Sequence, residues 1–136
     1  MIIPFRLPGL NEVIAKNRNS RYAGASLKKQ VDASIAMQIR AAKLEPVTAH
    51  CIVHIVFDEP NRRRDVDNVE SAKKFVLDAL VSAGVIRGDS PACVIASPSF
   101  TRYTNGGAQV TVTIIEDEDA TELRRRLKTA SAAIIE

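Results

Sequence analysis

The period of apolar and polar positions changes several times along the chain, and each change marks an element. Leu27, Val31, Ile35 and Ile39 recur every four residues. That is the spacing of one helix face, and it predicts a helix from Ser26, a candidate N-cap, to about Lys43. "TAHCIVHIVFDEP" (48–60) is apolar and β-branched and closes on Asp-Glu-Pro, which predicts a central strand. Val69, Ala72, Val76 and Leu80 form a second helical stripe. It predicts a helix over 68–83, with Gly84 ending it where a left-handed residue costs least. "ACVIASPSFTRY" reads as a strand interrupted near Pro98, "TNGGA" as a hairpin turn, and "QVTVTII" as the return strand.

The ends are less regular. "MIIPFRL" reads as an edge strand, and "PGLN" as a turn in which Asn11 caps a short helical turn. Residues 15–26 are polar, basic and glycine-containing and read as an exposed loop. The tail predicts one more helix, with Thr121, Leu123, Leu127, Ala130 and Ile134 as a narrow apolar stripe. The sum is an α+β fold: a single domain over 1–116, with a mixed sheet containing an antiparallel hairpin packed by two main helices, and a helical tail over 117–136.

With 136 residues, 46% hydrophobic and 26% charged, the chain is long enough for one unstapled core. No apolar run reaches a membrane span, and the N-terminus is too short and Pro-interrupted for a signal peptide. The expected setting is therefore cytoplasmic, where Cys51 and Cys93 are buried thiols rather than a disulfide. Charge adds a sharper feature. Residues 1–64 carry 11 Lys and Arg against 5 Asp and Glu, whereas residues 65–136 carry 8 against 11. The excess of positive charge stops at "NRRRDVDN", where Arg62, Arg63 and Arg64 abut Asp65 and Asp67. A basic surface beside carboxylates suits a polyanion and a divalent cation, although a solvated surface of mixed charge also accounts for it.

Asp65 and Asp67 stand where the chain turns from strand to helix, so their side chains can converge as half of a Mg²⁺ site. Asp67 has a competing role as helix N-cap, with Glu70 three residues on completing a capping box. Asp89 offers a third carboxylate, or is only the turn residue of "GDSP". Lys74 shares a polar helix face with Glu70 and Asp78, and Lys73 lies at the edge of the apolar stripe. Either lysine is able to meet a phosphate. Lys28 and Lys29 sit near a predicted helix start, where they oppose the dipole and invite an anion. His50 and His54 flank the strand without a nucleophile, and no phosphate-binding glycine loop is present.

The run "RRRDVDN…K…DALVSAG…D" resembles the RusA family of Holliday-junction resolvases, which includes phage-borne members. Asp65, Asp67, Asn68, Asp78, Ala79, Leu80, Gly84 and Asp89 match its pattern, and "LPGLN" matches an early Pro-x-x-Asn segment more loosely through Asn11. The resemblance spans roughly residues 1–116. One position departs from it: the family lysine falls on Ser71, and Lys74 takes its place when counted back from Asp78. The resemblance implies a Mg²⁺-dependent endonuclease, with Mn²⁺ as a substitute, acting as a homodimer on branched DNA. Asp65, Asp67 and Asp89 would hold the metal, with Lys74 beside them. Arg62, Arg63 and Arg64 would grip the backbone, and Asn11, Lys16, Arg18, Arg21, Lys28, Lys29 and Lys73 would extend that surface. Two other readings compete. One is a non-catalytic nucleic-acid-binding module. The other is a phosphatase with an Asp-x-Asp nucleophile, for which the acid should end the strand directly rather than follow "EPNRRR".

Overall fold

The computed structural model describes residues 1–47 and 50–116, with Glu122, Arg125, Arg126, Lys128 and Thr129 beyond them. The tail helix expected over 117–136 lies for the most part outside the described residues. The elements in order are β1 (Ile2–Ile3), α1 (Leu10–Asn19), α2 (Arg21–Ala42), β2 (Cys51–Glu59), α3 (Val66–Glu70), α4 (Lys73–Ser82), β3 (Val94–Ala96), β4 (Ser99–Tyr103) and β5 (Gln109–Glu116). They make the predicted α+β fold with a mixed sheet, which has five strands. No helix among the described residues is long and apolar enough to cross a membrane.

β2 is the centre of the sheet. It pairs antiparallel with β5 from Cys51↔Glu116 to Asp58↔Gln109. β3 and β4 lie in succession along its other edge, both parallel to it and separated at Pro98. β1 adds an outer antiparallel strand to β5. The predicted hairpin is therefore corrected: the last two strands flank β2 instead of pairing with each other. The "TNGGA" loop carries the chain across the end of β2, where the Thr104 N–H donates to the Glu59 carbonyl at 2.8 Å. The reason is burial. Seven of the nine β2 residues are buried, so both of its edges need hydrogen-bond partners.

Cys51, Val53, Ile55 and Phe57 form one face of β2 and pack with Val31, Ile35 and Ile39 of α2 and Val76 and Leu80 of α4. Cys51 is buried as expected, and Cys93 is half-buried; both thiols are free.

Two helix boundaries differ from the sequence pattern. Residues 15–26 are not a loop, and Ser26 is not a cap. α1 runs to Asn19, and α2 begins at Arg21. Ser20 alone is extended between them, and its hydroxyl accepts from the Ala23 N–H at 2.9 Å. A serine that caps one helix while its own N–H closes the previous one makes a corner from a single residue. The predicted helix over 68–83 is instead two. It starts at Val66 with Asp65, not Asp67, at the N-cap, and it breaks at Ser71–Ala72. The Ser71 hydroxyl donates to the Asn68 carbonyl at 2.7 Å, and the Ala72 N–H shortens its bond to Val69. Such back-bonding bends a helix.

α4 closes with a Schellman motif. The Gly84 N–H donates to Val81, and the Val85 N–H donates to Leu80, each at 3.0 Å. Gly84 has φ of 74°, and Val85 is buried behind it. Gly84→Ala is expected to lower the unfolding free energy by about 1–2 kcal/mol. The urea midpoint should fall while the slope of the transition stays constant.

Candidate nucleic-acid and metal site

The segment after β2 is organised by Arg64. Its Nε donates to Glu59 Oε1 at 2.7 Å, and Nη1 donates to the Leu7 carbonyl at 3.0 Å. The same guanidinium lies 3.6 Å from Glu12, which also pairs with Arg6. Hydrogen bonding from Arg6 is the main reason the Glu12 carboxyl sits below its usual range, with Arg64 adding to it. The Arg64 and Glu59 side chains are only 15% and 6% exposed. Arg64, expected on the DNA surface, is therefore an internal clamp between the strand end, the N-terminal segment and α1. Tyr103 supports the same turn: its hydroxyl donates to the Arg64 carbonyl at 3.1 Å, and Arg62 stacks 5.0 Å over its ring. Arg63 projects into solvent.

Asn68 joins the two motifs. The N-cap of α1 is Gly9, which has no side chain to satisfy the first helical N–H groups. Asn68 Oδ1 supplies the acceptor, taking the Asn11 N–H at 3.0 Å. A Cβ on Gly9 would meet the Asn68 carbonyl at 2.8 Å, so only glycine permits this approach. Asn11 is thus not a cap itself but the residue whose backbone is capped.

Asp65 and Asp67 are exposed at the start of α3, and among the described residues neither carboxylate has a hydrogen bond or ion pair. The capping box does not form, because Glu70 turns away to accept from Ser99 and from Thr101, the latter at 2.9 Å. Asp89 is not gathered with the first two acids. It meets Lys74 at 3.3 Å, and Lys74 meets Asp78 at 3.1 Å. Asp78 foremost, then Asp89, push the Lys74 pKa above the ordinary amine range, which holds it as an ammonium. Lys73 neither stays in solvent nor meets a carboxylate: it donates to the Ser97 carbonyl at 2.9 Å, where the strand edge is interrupted. Among the described residues, no group of three or more His, Cys, Asp or Glu side chains is assembled for a metal ion. Asp65 and Asp67 nonetheless offer the hard oxygen donors that Mg²⁺ takes, and one or two carboxylates suffice where a substrate phosphate and waters complete the shell.

Lys16, Arg18, Arg21 and Lys29 are exposed along α1 and α2. Lys28 and Lys29 do not stand at a helix start, because α2 begins at Arg21; Lys28 pairs with Asp32 at 2.7 Å. Neither lysine therefore opposes the dipole at the start of α2. On the opposite face of the sheet from the helices, Asp58 is buried and accepts two bonds from Arg102 and one from Gln109. The Arg102 hydrogen bonds hold its carboxyl below the usual range, outweighing burial. Sequence reasoning missed Tyr103, Glu59 and Asn68 as organisers. "NRRRD" does signal a charged turn, but not which arginine faces inward.

No protein-family model matches the chain, and no curated protein matches its sequence.

Arg64→Ala is expected to cost about 3 kcal/mol, because it leaves Glu59 buried and unpaired. Arg63→Ala should stay within about 0.5 kcal/mol. Urea unfolding of both variants separates the clamp from the surface arginine. Asp58→Asn should be less stable than the parent at pH 7, and the gap should narrow as pH falls below about 4. The sign follows from a lowered folded-state pKa: the contribution is present above the unfolded value and is lost as the folded carboxylate takes its proton. Thermal unfolding across pH 3–7 checks it.

Proposed function

We propose that this chain is a Mg²⁺-dependent, structure-selective endodeoxyribonuclease that resolves Holliday junctions and related branched DNA by paired nicks, acting as a homodimer in the cytoplasm of a bacterial cell. One observation carries the reading. Asp65 and Asp67 stand two residues apart, exposed and unpartnered among the described residues, while the acids around them at Glu12, Glu59, Glu70, Asp78 and Asp89 are all engaged. Two open carboxylates at one helix start offer the hard oxygen donors that a divalent cation takes. The family resemblance around "RDVDN" supports the same assignment.

In this reading Asp65 and Asp67 would hold Mg²⁺. When bound, Mg²⁺ supplies Lewis-acid stabilisation of charge on the phosphodiester and lowers the pKa of a coordinated water. Arg63, and Arg62 from its seat on Tyr103, would bind phosphate oxygens of the flanking backbone. Lys74, held charged by Asp78 and Asp89, would serve as a fixed cation for a phosphate rather than as a proton donor. Asp89 would join the metal shell only by releasing Lys74. Lys16, Arg18, Arg21 and Lys29 would continue the contact along the DNA. These are backbone contacts, which position a duplex without reading sequence and so suit selection by shape. Paired nicks call for two such sites related by a two-fold axis.

A second reading, a binding module without catalysis, draws on the absence of a three-carboxylate cluster among the described residues. The two separate in a cleavage assay on a synthetic four-way junction and a linear duplex, with and without Mg²⁺. Nicking of the junction alone, only with Mg²⁺, is expected. Asp65→Asn and Asp67→Asn should each reduce it by about a hundredfold or more, the scale of losing one preorganised electrostatic contact. Both variants should still bind the junction. Undiminished cleavage by either variant removes the metal assignment, and junction binding without nicking by the parent chain leaves the module.

A further inference from the structure

Tyr22 is 79% exposed, more than any other exposed large apolar side chain among the described residues. Among those residues its hydroxyl makes no hydrogen bond, so the ring gains nothing from the fold. Its backbone is nevertheless held firmly. The Ser20 N–H donates to the Lys16 carbonyl at 3.1 Å, and the Ser20 carbonyl accepts from the Gly24 N–H at 3.2 Å. With the Ser20 hydroxyl on Ala23, these bonds fix the corner on both sides of the ring. α2 itself is anchored in the core by Val31, Ile35 and Ile39. Lys16, Arg18 and Arg21 surround the corner, all exposed and without ion pairs among the described residues. Residues 15–26 contain no Asp or Glu to neutralise them.

We propose that the Tyr22 ring, with Lys16, Arg18 and Arg21, is a stacking platform for an unstacked base of branched DNA. The assignment rests on the DNA reading above and adds to it the contact that tells a branch from a plain duplex. A ring stacks on any base whose face is free, and the basic side chains hold the adjoining phosphates. An intact duplex hides its base faces within the stack, and a branch point exposes them. A rigid corner suits this role, because the backbone that carries the ring need not be ordered on binding. The spacing also fits. The start of α1 touches Asn68, next to Asp67, and the helix has 10 residues. At 1.5 Å per residue α1 is about 15 Å long, so the corner stands about one helix length from the Asn68 contact. That is about four nucleotides along a strand at 3.4 Å each.

The test measures binding, without metal, to a four-way junction carrying 2-aminopurine at its centre and to a linear duplex of equal length. Tyr22→Ala should weaken junction binding by about tenfold or more, the scale of one base–aromatic stack, and leave duplex binding within about twofold. Tyr22→Phe, which keeps the ring, should bind the junction like the parent. The 2-aminopurine signal should change on binding the parent and Tyr22→Phe, and not on binding Tyr22→Ala. Arg18→Ala should weaken junction and duplex alike. Unchanged junction affinity and signal in Tyr22→Ala overturns the platform, as does an equal loss on both DNAs. A parent protein that does not prefer the junction overturns the branched-DNA reading and the platform with it. Preference retained in Tyr22→Ala overturns the platform alone.

Discussion

The site depends on one guanidinium. Arg64 reaches three separate stretches of chain: the Glu59 carboxylate at the end of β2, the Leu7 carbonyl before α1, and the region of Glu12 within α1. Each stretch is polar at the point of contact, and the buried Glu59 carboxylate above all needs a partner there. A planar group with several fixed donors serves all of them at once, which a lysine's single ammonium would not do with the same geometry. The turn from β2 into α3 is held by this contact, and so is the place where Asp65 and Asp67 emerge.

The α1–α2 corner is built on the same frame. Asn68 follows the two aspartates and caps α1 across 57 residues of sequence. Gly9 allows the approach because a Cβ would strike the Asn68 backbone. The residues beside the carboxylates therefore also set where α1 begins, and α1 sets where Lys16, Arg18 and Tyr22 stand. Basic groups and acidic groups are positioned by one connected set of hydrogen bonds rather than by independent surface loops.

Charge in this protein divides into groups that are neutralised and groups that are left free. Glu59, Glu12, Asp58 and Glu70 are satisfied by arginines or hydroxyls and stabilise the fold. Lys73 is tied to the backbone at Ser97, and Lys74 is shared between two aspartates. Among the described residues, Asp65, Asp67, Arg63, Lys16, Arg18, Arg21 and Lys29 remain for solvent or a ligand. A fold that engages its buried acids in this way, yet leaves the carboxylates of Asp65 and Asp67 open beside Arg63 among the described residues, keeps cation and phosphate chemistry available at that position.

Periodicity by itself determined the central strand, the core stripe of α2, the break near Pro98 and the left-handed end at Gly84, because each follows from local geometry and burial. It also placed "RRRDVDN" at a strand-to-helix turn. Tertiary structure decided the rest. Which edge of β2 takes β5 depends on strands that must satisfy both sides of one buried strand. Whether Ser20 or Ser26 caps α2 depended on α1 closing against it, and the break at Ser71 depended on a hydroxyl choosing a carbonyl over solvent. Arg62, Arg63 and Arg64 are identical letters in sequence; only the approach of Glu59, Leu7 and Tyr103 makes one a clamp, one a stacked cation and one a free charge, because pairing is set by distances that a linear pattern does not contain.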